Sequence, residues 1–467
     1  MRPLGTGSSG LVRLGLVGMI GMSRMVSGMA SVWAESVTVR AEVVTVRTEP
    51  SYVDWPTVMR LAGAKNEEVA VARLQHHRAV LDVDQAWQRF WPSVMLGAQY
   101  RMHHGRLQDV VGSMLEVRKQ QVAVGPTVQI DWVPGDSYYA ALSAKQRALA
   151  AAQIAEKSRL EVIRESAGRY FELLAAEAAA GVWLDDLLVF EDYASQLEKG
   201  VESGTVYRGD LLRVRTQMAR LKIQIQRSEE QLGVAAARLA ETLRLPAESV
   251  LRPAKSDLVP IRAIKAEAVG DLVARAQVTR PEVRAMESRN EGLKREEDRA
   301  RVGPLFPSLQ AGYTAGGLGG GRAGSFGNFG DQQDLFVGFG WKIGPGGLLD
   351  TTRQKAAATT REAGQLELQR VKAAVGRDVV EAAVRSRSSE AQIALSEQAV
   401  KSAEEMTRLA AERQASQVGV VLEFVLARED LARARLERVR AIADFNRAQQ
   451  ELRCALGDLA GGAEYGR

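Results

Sequence analysis

The chain of 467 residues contains one cysteine, 13 prolines and few aromatic residues. A single cysteine excludes a fold held together by disulfide bonds. It also leaves no cysteine near the N-terminus, so we do not expect a lipoprotein anchor, and we expect Cys454 to be packed in a helix rather than reactive. Aromatic residues make up 6% of the chain against 46% hydrophobic residues, which favours helices that pack through Ala, Leu and Val.

Long apolar runs are also missing. No stretch approaches the roughly 20 apolar residues of a membrane-spanning helix. Charge of one sign is scarce too, because 62 Lys and Arg oppose 57 Asp and Glu, for a formal net charge of +5. Three of the basic residues lie in an N-terminal segment that we expect to be cleaved, and without them the formal net charge is about +2. This balance does not predict a nucleic-acid partner.

The N-terminus has the order of a secretory signal peptide. Basic residues precede a short apolar run, Leu14 to Met22, and small residues follow up to Ala34. We therefore expect a signal peptide over residues 1–34. A disordered N-terminus is the alternative, since Arg24 interrupts the run and Trp33 is bulky for a cleavage region.

Proline is absent from residues 135–245 and again from residue 346 to the C-terminus. Such stretches have no helix breaker and predict long helices. In each stretch the helical pattern is interrupted once by glycine, at Gly200 and Gly204 in the first stretch and at Gly419 in the second. Each stretch therefore predicts a helical hairpin whose tip lies at these glycines.

The second arms of the two hairpins carry the same apolar seam, with steps of 3 and 4 residues. In the first arm the seam comprises Leu211, Val214, Met218, Leu221, Ile225, Ser228, Leu232, Ala235 and Leu239. Adding 213 gives Phe424, Ala427, Leu431, Ala434, Arg438, Ala441, Phe445, Ala448 and Leu452. The match indicates two fused copies of one unit rather than a repeat array.

Four segments alternate apolar with small or polar residues, as β-strands with one apolar face do. They are expected at about 93–103, 119–133, 307–316 and 334–343. The apolar face includes the candidate lipid-facing residues Val128, Ile130, Trp132, Val337, Phe339 and Trp341. Alternation alone favours an ordinary half-buried antiparallel sheet over a membrane barrel. Four strands cannot close a barrel within one chain, so a barrel would need several chains.

The copies give the following organisation. A signal peptide and an N-terminal extension precede the first repeat, a linker joins the repeats, and a short tail follows the second. Trp55 to Phe90 and Leu272 to Val302 are the expected leading helices. The expected bounds are 1–34 for the signal peptide, 35–51 for the extension, 52–245 for the first repeat with its hairpin at 137–245, 246–265 for the linker, 266–458 for the second repeat with its hairpin at 348–456, and 459–467 for the tail.

This organisation resembles the outer-membrane efflux, or TolC-like, family from Tyr52 to Asp458. Four groups of residues carry the resemblance together. They are Trp55 with Ala62, Asn66 and Ala72; Arg280-Pro281-Glu282-Val283; Trp91-Pro92-Ser93 with Phe306-Pro307-Ser308; and Leu452-Arg-Cys-Ala-Leu-Gly457.

The resemblance implies a homotrimer in which each chain gives four strands to one twelve-stranded transmembrane β-barrel, and in which the helices form a hollow α-barrel across the periplasm. The helix-to-strand transitions would then lie at Pro92 and Pro307, and the returns at Pro134 and Pro345. The implied function is a passive exit duct of a tripartite efflux or type I secretion system. Its implied partners are a periplasmic adaptor protein, an inner-membrane transporter and outer-membrane lipid.

Asp210 and Glu423 are repeat mates on the first turn after each tip. Their simplest role is to complement the helix dipole, which is worth about 0.3–1 kcal/mol each. The resemblance implies a second role as a periplasmic gate, since some similar channels carry an acidic ring at the position of Glu423. A second ring three residues on is replaced by Leu426. By the same resemblance, the adaptor docks at the tips around Gly200, Gly204 and Gly419.

No group of residues predicts catalysis or a cofactor. The pairs His76-His77 and His103-His104 are adjacent in sequence and point apart, which disfavours a shared metal. The run Gly319 to Gly321 lacks the context of a phosphate loop. The alternative function is a periplasmic coiled-coil adaptor or scaffold without a pore, whereas an enzyme has no supporting residues. The transported substrate does not follow from the sequence.

Overall fold

The computed structural model describes most of the chain after residue 50. The predicted signal peptide and C-terminal tail lie outside the described residues. The described ranges are 51–246, 248–255, 258–264, 267–322, 327–416 and 419–458.

The chain is mostly helical and runs through the same series of elements twice. A short strand β1 (Ser51–Val53) precedes the first copy and β4 (Leu251–Pro253) precedes the second. The first copy consists of α1 (Trp55–Lys65), α2 (Glu67–Gln88), β2 (Ser93–Gln108), β3 (Met114–Trp132), α3 (Pro134–Glu202) and α4 (Arg208–Thr242). The second consists of α5 (Val269–Thr279), α6 (Pro281–Arg301), β5 (Ser308–Arg322), β6 (Gly330–Gly340), α7 (Thr351–Ala415) and α8 (Val421–Ala455).

The paired helices have matching lengths. Helices α4 and α8 contain 35 residues each, and they begin 213 residues apart, at Arg208 and Val421. Helix α3 contains 69 residues and α7 contains 65, so they are about 104 Å and 98 Å long at 1.5 Å per residue. The duplicated hairpins are therefore long rods rather than parts of a compact globule.

Each leading segment is two helices and not the single helix that the sequence predicts. In the first copy Asn66 leaves the helical conformation, with ψ at 128°, and its side chain accepts a hydrogen bond from the Glu68 backbone at 2.8 Å. In the second copy Pro281 begins a new helix directly after Arg280. Both breaks have a local cause. A capping residue such as Asn and a proline are favourable at the start of a helix and unfavourable in its interior, so a new helix begins at each.

The predicted seam lies in the helix interfaces. In α8 every seam residue except Arg438 is buried, and in α4 the seam is buried or half-buried along its whole length. Arg438 is half-exposed and forms an ion pair with Glu397 of α7 at 3.7 Å. The spacing of 3 and 4 residues therefore identifies the buried face in both copies.

The segment between the copies is held across the helices. Strand β4 pairs in parallel with β1. Farther along, the buried side chains of Asn446 and Gln449 on α8 accept hydrogen bonds from the backbone of Ile261 at 2.7 Å and of Ala263 at 3.1 Å. These amides satisfy backbone groups that have no partner strand, so Ile261 and Ala263 are held against α8.

Four antiparallel strands form one sheet in the order β2-β3-β5-β6. The strands are longer than the alternation predicts. Most of the expected loops at 101–119 and 316–334 belong to them, while β6 begins at Gly330 and ends at Gly340. The glycine-rich end of β5 has low intrinsic strand preference, which is why the pattern there resembles a loop. Pro126 lies in β3 where its pairing with β5 lapses, as a residue without an N–H requires.

Candidate functional site

The hairpin tips are the first candidate site. Residues 203–207 join α3 to α4, and Gly204 there has a φ of +74°, a left-handed conformation that favours glycine. Gly200 lies one turn earlier, inside α3, and its carbonyl accepts the backbone N–H groups of Thr205 at 2.9 Å and of Val206 at 3.1 Å. The glycine is therefore the point where the returning chain closes against the helix.

The second tip is equally tight. The Gly419 N–H donates to the carbonyl of Arg413 at 2.9 Å, and a Cβ on Gly419 would lie 2.9 Å from the Gln414 nitrogen. Such a contact is shorter than real Cβ atoms make. The turn therefore depends on close approach of backbone to backbone. Whether an adaptor docks at either tip stays a prediction.

Glu423 lies in the first turn of α8 and is partly exposed. Its Oε1 atom lies 2.8 Å from Nη1 of Arg413, on the last turn of α7. The ion pair joins α7 to α8, the two helices of the hairpin, and compensates part of the negative charge of Glu423. The sequence does not predict this role of Arg413, because nothing in the local pattern shows that a residue ten positions earlier returns to face Glu423.

Asp210 lies in the first turn of α4, and its backbone N–H donates to the Tyr207 carbonyl at 3.0 Å. It also lies near Tyr193 of α3. Burial raises the pKa of the Tyr193 hydroxyl, and the negative charge of Asp210 raises this pKa further. Asp210 therefore belongs to a cluster that extends beyond its own helix.

Tyr193 joins the two tips. Its hydroxyl accepts a hydrogen bond from the Gln414 side chain of α7, and its ring lies 4.7 Å from the Phe424 ring of α8, between centroids. Phe190, one turn earlier, lies 6.3 Å from Phe424 on the same measure. The first-copy helix α3 therefore packs directly on the second hairpin next to both candidate gate residues.

A buried ion pair lies farther from the tip in the same interface. Nη2 of Arg428 donates to Oδ1 of Asp186, and the two side chains are only 10% and 4% exposed. The second carboxylate oxygen of Asp186 and the Nε of Arg428 have no partner among the described residues. Burial raises the pKa of Asp186, although the positive charge of Arg428 opposes this shift.

The four prolines assigned to transitions lie at the ends of elements. Pro92 and Pro307 directly precede β2 and β5, Pro134 is the first residue of α3, and Pro345 lies in the turn before α7. Beyond Pro134, the carboxylate of Asp136 accepts hydrogen bonds from Arg299 of α6 at 2.6 Å and 2.8 Å and from Arg353 of α7 at 3.0 Å.

The Asp136 carboxylate thus links helices α3, α6 and α7 close to the end of the sheet from which the helices extend. Burial alone would raise the pKa of Asp136, but the hydrogen bonds and positive charges of Arg299 and Arg353 outweigh burial and lower it. Nothing in the sequence pattern predicts this network.

The candidate lipid-facing residues differ in exposure. Val128, Ile130 and Trp132 of the inner strand β3 are half-buried, whereas Val337 and Phe339 of the edge strand β6 are 63% and 75% exposed. Trp341 lies just beyond β6, and its indole N–H donates to the Leu305 carbonyl at 3.1 Å. The expected strand therefore ends before Trp341. Which face contacts lipid stays a prediction.

The histidines do not form a common site. His76 and His77 lie on α2, and His104 lies 3.5 Å from Nη2 of Arg118 on the neighbouring strand. Among the described residues no group of His, Cys, Asp and Glu is placed to hold a metal ion. Within the same residues, no helix has the length and apolar character needed to cross a membrane.

The family model of outer membrane efflux proteins matches residues 272–458. No curated protein matches the sequence. The match and the shared fold confirm the resemblance of this chain to the outer membrane efflux family.

Several solved outer-membrane channels have the same fold. The outer membrane protein VceC of Vibrio cholerae is 18% identical, with a TM-score of 0.69 over 86% of this chain and 96% of that chain. The MtrE outer membrane channel of Neisseria gonorrhoeae, in its open state, is 17% identical, with a TM-score of 0.68 over 86% and 89%. CusC is 15% identical, with a TM-score of 0.71 over 90% and 96%. At these identities the likeness shows the fold.

We expect the Asp186–Arg428 pair to stabilise the interface between the hairpins only while both partners are present. Arg428→Leu or Asp186→Leu alone should lower the stability of the purified protein by about 3–5 kcal/mol, because each leaves one buried charge without a partner. The double variant should recover most of this loss. Thermal unfolding followed by far-ultraviolet circular dichroism measures both effects.

The control is Arg408→Gln, which removes exposed ion pairs with Glu405 and Glu412 and should change the stability little, because exposed ion pairs contribute little. Equal losses of stability in Arg428→Leu and Arg408→Gln would show that the buried pair stabilises the protein no more than an exposed pair does.

Proposed function

We propose that this chain forms, as a homotrimer, the outer-membrane exit duct of a tripartite efflux or type I secretion system. It is embedded in the outer membrane and extends into the periplasm. Substrates pass through it passively after an inner-membrane transporter and a periplasmic adaptor deliver them.

The observation that carries the proposal is the four-stranded sheet. Its two edges, β2 and β6, have no further strand partner among the described residues. One face bears the apolar residues Val94, Val124, Val128 and Phe339, of which Val94, Val124 and Phe339 are exposed in the single chain. A soluble monomer rarely leaves such a face in water, and about eight strands are needed for a barrel. Three copies that pair β2 with β6 would close twelve strands and turn the apolar face to lipid.

The helices fit the same arrangement. Two hairpins about 100 Å long extend from one end of the sheet, a length suited to crossing the periplasm. The tips would then form the periplasmic entrance, where the adaptor docks by family resemblance. The outer-membrane channels to which this chain is similar support this use of the fold.

The proposal predicts the location of the protein and its conduction. The mature chain should fractionate with outer membranes, resist extraction by carbonate, run as a trimer in detergent and conduct ions across a planar bilayer. Recovery as a soluble periplasmic protein without conductance would favour the adaptor or scaffold function.

A second prediction concerns the two faces of the sheet. Val128→Arg or Phe339→Arg should reduce trimer assembly, because a cation near the middle of the bilayer costs about 2–4 kcal/mol. Gln129→Arg, one residue away on the opposite face, should be tolerated. The amount of trimer in outer membranes decides between them, and equal losses for Val128→Arg and Gln129→Arg would contradict the assigned orientation.

A third prediction concerns the entrance. Threefold symmetry would bring three Glu423 carboxylates together in a narrow aqueous passage, where charges are less screened than on an open surface. Glu423→Gln should therefore reduce selectivity for cations and weaken block by trivalent cations from the periplasmic side. Asp210→Asn should have a smaller effect in the same direction.

Arg413 provides the matched variant. Nη1 of Arg413 lies 2.8 Å from Oε1 of Glu423 and compensates part of its negative charge. Arg413→Gln removes this compensation and should therefore strengthen block by trivalent cations. Single-channel recordings at several salt concentrations measure these effects. Wild-type selectivity in all three variants would contradict the gate assignment and leave the duct intact.

A further inference from the structure

The hairpin of β2 and β3 extends past the rest of the sheet at the end farthest from the helices. Strand β5 ends at Arg322, directly opposite Lys119 of β3. Strand β6 begins even closer to the helices, because its first residue, Gly330, pairs with Leu318 of β5. Past Lys119 the described strands give β3 no partner other than β2. We call residues 104–118, two strands and the turn between them, the outer ribbon.

One face of the outer ribbon is polar. It continues the apolar face of the sheet, because side chains alternate along a strand and this face carries even-numbered residues such as Val122 and Val124. In the ribbon Arg106 lies directly opposite Glu116, as a pair of unlike charges. The whole face bears polar side chains and one methionine, namely His104, Arg106, Gln108, Met114, Glu116 and Arg118. This part of the hairpin is therefore suited to water and not to lipid.

The other face of the outer ribbon is apolar. In the sheet this face carries small or polar residues such as Gln121 and Gln129. In the ribbon Leu107 lies directly opposite Leu115, and Val117 follows on the same face, one level closer to the sheet. The two faces of the hairpin therefore exchange their polarity between the sheet and the ribbon.

The turn of the outer ribbon presents two more apolar side chains. Val110 and Val111 are almost completely exposed in the single chain. Asp109 closes the turn, since its Oδ1 atom accepts the backbone N–H groups of Val111 at 2.9 Å and of Ser113 at 3.0 Å. The two valines are thus held at a defined place. Exposed apolar surface on an ordered turn, next to an apolar face of the same ribbon, is typical of a contact surface.

In the proposed duct the outer ribbon lies outside the bilayer. The apolar stretch of β3 runs from Val122 to Trp132, about 33 Å of strand. At a tilt of about 40° this stretch spans about 25 Å, the height of the lipid-facing band of membrane barrels. Lipid therefore does not reach the ribbon, and a two-stranded ribbon alone is only marginally stable in water. Its apolar face would point toward the axis of the duct, where only protein can cover it.

The ribbon is long enough to reach that axis. Met114 lies five residues beyond Lys119, about 17 Å along the strand, and the turn extends farther. Twelve strands about 4.8 Å apart and tilted by about 40° would form a barrel with a radius of about 12 Å. Three ribbons can therefore meet above the middle of the barrel, with their apolar faces against one another.

We propose that the outer ribbons of three chains meet over the axis and close the outer mouth of the duct as an apolar gate. The inference rests on the proposed function and adds a gate at the end opposite Glu423. The partner of each apolar face is the same face of the other two copies. A constriction lined by Leu107, Leu115, Val110 and Val111 excludes water, and apolar constrictions block the passage of ions by dewetting. Substrate leaving the duct separates the ribbons, and apolar contact brings them together again.

The first test is disulfide cross-linking of the full-length protein in outer membranes by a mild oxidant. Leu115→Cys should form disulfide-linked dimers of the chain on denaturing gels, because the ribbons of neighbouring copies meet at this residue. Glu116→Cys is the matched control, since it lies next in the same strand on the opposite face, and it should stay monomeric. The native Cys454 does not interfere, because it is buried and burial raises the pKa of its thiol to about 11.

The second test measures closure of the mouth, whatever the state of the periplasmic entrance. Gln129→Cys places a thiol on the lumen face below the ribbon, and intact cells are treated with a maleimide that does not cross membranes. Adding Val110→Ser and Val111→Ser should speed the labelling about tenfold, because polar side chains remove the apolar contact that closes the mouth. Adding Met114→Ser instead, an apolar-to-polar change on the polar face of the ribbon, should leave the rate of labelling unchanged.

Trimers in the outer membrane in which Leu115→Cys does not cross-link, or cross-links no more than Glu116→Cys, overturn the gate and leave the duct intact. If outer-membrane lipid then shields Leu115→Cys from the maleimide, lipid covers the apolar face instead. Equal labelling of Gln129→Cys with and without the two serine substitutions also overturns the gate alone. A chain that forms no trimer in the outer membrane overturns the duct itself and with it this inference.

Discussion

The apolar face of the four-stranded sheet cannot be buried by the chain that carries it. The long helices leave the sheet at one end and pack mainly on each other, so they do not cover this face. The strands at both edges are long and lack a further partner among the described residues, a combination that soluble proteins avoid. In water such a sheet would pair with other chains and aggregate. The proposed trimer would resolve both problems at once, and a hollow arrangement of the helices would follow from closing the strands.

The sequence predicts the helical part well, since its signals are local. Proline-free stretches, tip glycines and a seam with steps of 3 and 4 residues define α3, α4, α7 and α8 to within a few residues. The strand ends are less accurate. Alternation marks the apolar middle of each strand, but polar side chains on both faces hide the ends near the outer turns, and the glycines of β5 resemble a loop. The breaks at Asn66 and Arg280 have local signals of their own, since Asn66 is a capping residue and Pro281 follows Arg280.

The contacts that organise the candidate site could not be predicted. Asp186 and Arg428 are separated by 242 residues, and each resembles a solvated charge on its own helix. Tyr193 and Gln414 are 221 residues apart. Only the three-dimensional packing of α3 on the second hairpin, α7 and α8, brings them together. The sheet is intermediate, because alternation identifies its strands in part, while their register depends on pairing across the sheet.

The lengths of the duplicated helices show how such a chain can change in evolution. Helix α3 has 69 residues and α7 has 65, so the copies differ by about one helical turn. An insertion of one turn moves everything beyond it along the axis and leaves the buried stripe nearly in phase, whereas one or two extra residues would rotate the stripe toward water. The helices after the tips have kept the same length. Insertions and deletions in these rods should therefore be accepted in whole turns, and first at the end next to the sheet.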